Sequence, residues 1–295
     1  MATQDSSSQY QQPIQSSSSG QSSGNLNESP TVVASAAKQS PSRSRKKTSA
    51  KKKSTSSSSG GLKELGLKTG FIVTIDGPAG AGKSTVSKQL AESLDGILLD
   101  TGGMYRSVAY YSIREGVTSA ADLGKLARRL EFDVDPEAKK LLTNGEDLGH
   151  KIRTEEVSNN SSAISKLRAV RTALTSKQRT LGKKWAKKMP VVVEGRDIGT
   201  VVFKAAPFKF FVTASPEVRA ERRLAQLERQ GVTGLSVKAI LKQNEQRDKQ
   251  DSTRKIAPLK CPDDAVIVDT SSMGIAQVVH FMGDHIRNRL LIEQE

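Results

Sequence analysis

Gly77-Pro78-Ala79-Gly80-Ala81-Gly82-Lys83-Ser84 fits the phosphate-cradling pattern G-x-x-x-x-G-K-[ST] at every specified position. Immediately before it, Phe71-Ile72-Val73-Thr74-Ile75-Asp76 is a short apolar, β-branched run that predicts a buried parallel strand. From Lys83 to Leu94 the apolar spacing predicts a helix. Glycines at 77, 80 and 82 let the backbone turn without a Cβ penalty, so that successive N–H groups surround phosphate oxygens at the helix N-terminus. In this pattern Lys83 reaches the β- and γ-phosphates and the Ser84 hydroxyl sits on Mg²⁺. Gly77 to Ser84, with Thr85 beside it, is therefore expected to bind a nucleoside triphosphate.

Downstream, Ile97 to Asp100, Val191 to Glu194, Phe208 to Thr213 and Ala265 to Asp269 are further short apolar runs, separated by helical patterns. That alternation predicts an α/β fold of three layers, with a mostly parallel five-stranded sheet covered on both faces. Two segments break it. From Glu131 to Arg153 the pattern shifts to short alternating runs, with Asn144-Gly145 as a hairpin turn candidate, and a helix-rich stretch follows to Lys188, so that Tyr110 to Lys188 is expected to be an inserted α+β subdomain. Arg219 to Lys255 is helical and charge-rich, interrupted at Gly231-Val232-Thr233-Gly234, and suits a short helical lid over the phosphates. The expected core is thus 70–109, 189–218 and 256–295, the insertion 110–188 and the lid 219–255.

Residues 1–69 have a different composition. Ser, Gln, Lys and Gly dominate, apolar periodicity is absent, and disorder is expected. Met1 to Gly70 holds ten basic residues and three acids, so nearly half of the net charge of +15 lies there. The cluster Arg43 to Lys53 can touch nucleic acid or an anionic surface nonspecifically, but a solvated charge run is the plainer expectation. A Ser-rich, acid-poor, basic N-terminus also fits an organellar transit peptide, although amphipathic arginine spacing is missing. No run approaches the roughly 20 apolar residues of a membrane span. A single cysteine, Cys261, excludes an intrachain disulfide and suits a reducing compartment. His150, His280 and His285 are scattered and offer no zinc spacing. The expected protein is cytoplasmic and monomeric, or organellar if residues 1–69 are a transit peptide.

Polar clusters stand at two further strand ends: Asp100-Thr101-Gly102-Gly103-Met104-Tyr105-Arg106 and Glu194-Gly195-Arg196-Asp197-Ile198-Gly199-Thr200. Ligands of open α/β sheets bind at the carboxyl ends of the strands, so both should face the phosphate loop. Helix capping explains Asp100 and Thr101 but not the gathering of Arg106, Arg196 and Asp197.

With these blocks the chain resembles the bacterial-type cytidylate kinases. The match runs in order through Val73 to Thr85, Leu99 to Arg106, Ile152 to Val157, Glu194 to Phe203, Arg247-Asp248-Lys249-Gln250-Asp251-Ser252-Thr253-Arg254 and Ala257-Pro258-Leu259, and covers Phe71 to Arg289. The resemblance implies an ATP-dependent, Mg²⁺-assisted phosphorylation of CMP and dCMP, with the insertion as the monophosphate-binding subdomain. It places the acceptor site on Thr101, Arg106, Ser162, Arg171, Arg196, Asp197, Arg247, Asp251 and Arg254. Ser162, Arg171 and Asp197 would read the cytosine edge, Asp251 and Arg247 would hold the sugar hydroxyls, and Arg106, Arg196 and Arg254 would bind the acceptor phosphate. Lys83, Arg106, Arg196 and Arg254 are the expected catalytic set, with Arg222 and Arg223 as lid candidates and Glu194 as an acid helping to hold Mg²⁺.

Two departures stand out: Phe203-Lys204-Ala205-Ala206-Pro207 replaces the usual Phe-Pro-Asp-Ala-Pro, and Gln250 stands where arginine is common. Among rivals, a GTPase would need an Asn-Lys-x-Asp motif, which is missing. Another small-molecule kinase shares the phosphate loop but not the ordered set. A nucleic-acid-binding protein working through its basic tail is a third possibility, with steeply salt-dependent binding as its signature.

Overall fold

The computed structural model describes residues 70–293, so the disorder expected of residues 1–69 lies outside it. Strand β1 (Ile72–Asp76) enters the middle of the molecule and turns at Gly77 to Gly82 into helix α1 (Lys83–Ser93). Next come β2 (Ile97–Asp100), α2 (Thr101–Glu115), α3 (Ala120–Arg129), β3 (Phe132–Asp135), β4 (Lys140–Thr143), α4 (Glu155–Ile164), α5 (Arg168–Ala186) and β5 (Val191–Glu194). A π-helical turn, Ile198–Val202, precedes β6 (Phe208–Thr213), α6 (Pro216–Arg229), α7 (Val237–Thr253), β7 (Val266–Asp269) and α8 (Ile275–Ile292).

Five strands form one sheet in the order β2-β5-β1-β6-β7, every pair parallel. The β-branched, unbroken runs of β1 and β5 suit its middle, where both faces are covered. On one face α1 and α8 close a core around Val73, Ile75, Leu90, Phe210, Met282 and Ile286. The opposite face packs Leu99, Val191 and Val193 against Met104 and Val108 of α2 and Val170, Leu174 and Trp185 of α5. The five strands were legible from the sequence; β1 and β7 each start one residue later than expected.

Asn144-Gly145 forms the expected tight turn, while a second turn, the one that joins β3 to β4, falls at residues 136–139 with Lys139 at φ 53°. Asn144 and Gly145, at φ 51° and 78°, close Thr143 onto Glu146 in an antiparallel pair at the end of β4. Register aligns the three polar strand ends: Asp100 of β2 stands opposite Glu194 of β5, and Glu194 opposite Ile75 of β1. Helices α6 and α7 pack together beyond the same edge, joined through Gly231 and Gly234, both at φ 82°. They bury little apolar surface: Ala220 in α6 and Ile240 in α7. Among the described residues no helix is long and apolar enough to cross a membrane.

Candidate active site

One side of the candidate site is the loop between β1 and α1. Gly77 runs at φ 145° against the Val212 carbonyl, where a Cβ would overlap backbone, and Gly82 caps α1 in the left-handed region without a capping side chain. The first N–H groups of α1 are thereby left for an anion. Lys83 is buried and donates from Nζ to the Pro78 carbonyl at 2.6 Å. Ser84 Oγ donates to Glu194 Oε1 at 2.9 Å. A serine hydroxyl beside a carboxylate is a hard oxygen pair of the kind Mg²⁺ takes, with nucleotide and water completing the shell. No group of three or more His, Cys, Asp or Glu among the described residues could hold a metal by itself.

Across from the loop, arginines gather on two carboxylates. Asp197 accepts from Arg171 Nη2 at 2.5 Å and from Arg254 Nη2 at 3.2 Å. Asp251 accepts from Arg196 Nε at 3.1 Å and lies 3.7 Å from Arg254 Nη1. Arg106 of α2 donates to Asp100 at 2.9 Å, and Asp100 also caps α2 through Gly103 N. Burial works against the Asp100 charge, but the Arg106 and Arg153 guanidiniums and the Gly103 N–H outweigh it and hold its pKa below the usual value. Thr101 is nearly inaccessible and donates its hydroxyl to the Glu194 carbonyl at 2.6 Å, tying the β2 and β5 ends together.

Burial, then the Arg196 guanidinium, pushes the Lys83 pKa down to about 7, against partial support from Glu194 and Asp76. Arg247 is brought down to about 10 by burial and by Arg196, with Arg106 and Arg223 adding repulsion. Burial raises Glu194, helped by the Asp100 charge. Lys83, Arg106, Arg196 and Arg247 thus repel one another across one space, an arrangement that polyanionic ligands would relieve.

Arg171, Arg196, Asp197, Asp251 and Arg254 therefore form one connected network, and Arg247 joins it through space. Ser162 reaches it by another route: its Oγ accepts from Gln250 Nε2 at 2.8 Å and its carbonyl from the same amide at 3.2 Å. Gln250 has lost the charge common at its position, yet it binds a residue expected to read the base. Lys204 is exposed in a turn, and its carbonyl accepts from Lys209. Arg222, a lid candidate, donates both Nη groups to Thr270 beside the loop, while Arg223 donates to Gln226.

Other contributors escaped the sequence. Asp76 is fully buried and accepts from Ile198 N at 2.9 Å and Gly199 N at 2.7 Å, fixing the turn that follows Asp197. Burial lifts its pKa to about 6 in spite of both N–H donors. Tyr105 has a buried hydroxyl with no hydrogen-bond partner, and its ring lies 5.5 Å from the Arg171 guanidinium carbon. Asp248 of α7 and Arg219 of α6 hold Ala79 of the phosphate loop. The position of Asp76 at the end of β1 and of Asp248 beside Arg247 could have flagged both.

The family model described as cytidylate kinase matches residues 73–288. A cytidylate kinase of Citrifermentans bemidjiense is 46% identical over 227 residues, covering 76% of this chain and 95% of its own length. Another, from Mycobacterium avium, is 45% identical over 222 residues, covering 74% and 96%. One from Clostridium botulinum is 41% identical over 208 residues, covering 70% and 93%. With a phosphate loop and an arginine-lined acceptor space at adjoining strand ends, and with this similarity along nearly the whole described region, the chain belongs to the cytidylate kinase family.

Proposed function

We propose that the protein transfers the γ-phosphate of ATP to CMP and dCMP, releasing ADP with CDP or dCDP. The observation that carries this is the set of mutually repelling cations, Lys83, Arg106, Arg196 and Arg247, assembled where the ends of β1, β2 and β5 meet. An acceptor phosphate oxygen attacks the γ-phosphorus, the bond to the β–γ bridging oxygen breaks, and its electron pair leaves with ADP. The attacking oxygen is already ionised near neutral pH, so no general base is required. What the protein must do is align two anions and spread the charge of a loose transition state.

Lys83 and the N-terminus of α1 take the β- and γ-phosphates. The oxygen pair Ser84–Glu194 suits Mg²⁺, which when bound would neutralise charge between the phosphates. Arg106, Arg196 and Arg254 present the guanidinium forks that match a phosphate. Arg171, Ser162 and Asp197 supply donors and an acceptor for the cytosine edge, whose exocyclic amine needs an acceptor and whose ring nitrogen needs a donor. Arg247 and Asp251 are left for the sugar hydroxyls. In this scheme residues 110–188 form the monophosphate-binding subdomain and 219–255 the lid. The protein is read as a cytoplasmic monomer, and the single cysteine suits a reducing compartment.

A coupled assay of ADP release across AMP, CMP, dCMP, UMP and GMP tests the assignment. CMP and dCMP are expected to give the highest kcat/KM; a preference for AMP or GMP overturns it.

A further inference from the structure

Ala79 lies in the phosphate loop, yet both of its backbone groups are held from the lid. Its N–H donates to Asp248 Oδ1 of α7 at 3.0 Å, and its carbonyl accepts from Arg219 Nη1 of α6 at 3.0 Å. Arg219 and Asp248 are paired with each other, so the loop peptide and the two side chains form a closed ring. Arg219 is buried and anchored a second time by its Nε on the Ala214 carbonyl at 3.1 Å. Gly80 runs directly over it: a Cβ there would lie 2.9 Å from the Arg219 carbonyl oxygen.

Two residues further along α7, Gln250 holds Ser162 of α4 through Oγ and the carbonyl. One residue beyond, Asp251 accepts from Arg196 after β5. Within a single helical turn, then, α7 is tied to the phosphate loop on the donor side and to two walls of the acceptor site. A helix turn is stiff, so it cannot be seated for one nucleotide and displaced for the other. A ligand that favours the seated position lowers the cost of seating for its partner, which is a coupling free energy and must act equally in both directions.

Resting on the donor and acceptor sites proposed above, we propose that Asp248 and Gln250 make α7 the coupling element between them, so that the triphosphate and the monophosphate each tighten the other's binding. Neither residue needs to touch the reacting atoms; both act as positioning residues.

The test is calorimetric titration of the full chain with the non-hydrolysable β,γ-imido analogue of ATP and Mg²⁺, without and with saturating CMP. In the wild type CMP is expected to tighten analogue binding by about fivefold or more, and the analogue to tighten CMP binding by the same factor. In Asp248→Asn and in Gln250→Ala that factor is expected to fall to within about twofold of unity. A merely structural role would weaken both binding steps and leave the factor intact. Gln250→Ala removes only a partly exposed amide, and it carries the test if the Asn variant melts below the assay temperature. A wild-type factor of unity overturns the inference, as does an undiminished factor in the variants. A wild type that binds the analogue but not CMP overturns the reaction itself, so the two failures are distinguishable.

Discussion

Lys83 sits where its charge is disfavoured, and triphosphate oxygens would reverse that. With its pKa near 7 in the free protein, it is largely neutral at about pH 8, and bound phosphates restore the ammonium. Nucleotide binding at about pH 8 is therefore expected to take up close to one proton, and at about pH 5.5 none through this group. Calorimetry in buffers of different ionisation heat measures it. Lys83→Met should abolish the uptake and lower kcat by roughly 10²- to 10³-fold. The variant should melt no lower than wild type, because a buried ammonium is gone. The linkage has a definite sign: above pH 7 the unfolded chain keeps a proton that the folded one has released, so through Lys83 the free protein gains stability as pH rises. Unchanged uptake or near-wild-type turnover in the variant counts against the role. Lys83 and Ser84 were legible because their chemistry is fixed by local spacing. Asp76 was visible only as an acid at the end of β1; what it holds was not, since those amides are at 198 and 199 and no spacing records a contact across that distance.

At the level of elements, β1 and β6 approach so closely after Asp76 that only glycine fits at 77. Gly77→Ala adds strain of roughly 1–3 kcal/mol from its φ alone, and the overlap with the Val212 carbonyl forces the strands apart. Gly231→Ala, between α6 and α7, has nothing within 4 Å and carries the conformational strain only. Thermal melting should therefore show a clearly larger loss for position 77 than for 231; equal losses would mean that the β1–β6 approach is not limiting. The strands could be recognised from the sequence because buried parallel strands need unbroken β-branched runs, as in Val191-Val192-Val193. The β3–β4 turn was harder, because Asn144-Gly145 carries the strongest local turn signal and satisfies it with the tighter Thr143–Glu146 closure.

For the whole molecule, the basic tail and the folded region make separate claims. The groups proposed for catalysis all lie beyond residue 70, so deletion of residues 1–69 is expected to leave kcat within about twofold. Any binding of the full chain to a polyanion should fall steeply with salt and vanish on truncation. A large loss of kcat on truncation would assign the tail a part in turnover.

The strand order carries one more consequence, for the birth of the protein. Ile72 pairs with Val191, and Val73 with Phe208, so both neighbours of the central strand emerge from the ribosome long after it. Until then the nascent chain holds an apolar strand with two open edges, while α2 to α5 can already pack on one another. Long-range parallel pairing of this kind is slow to form. The phosphate loop, though synthesised well before the strands that flank β1, takes its shape only after them.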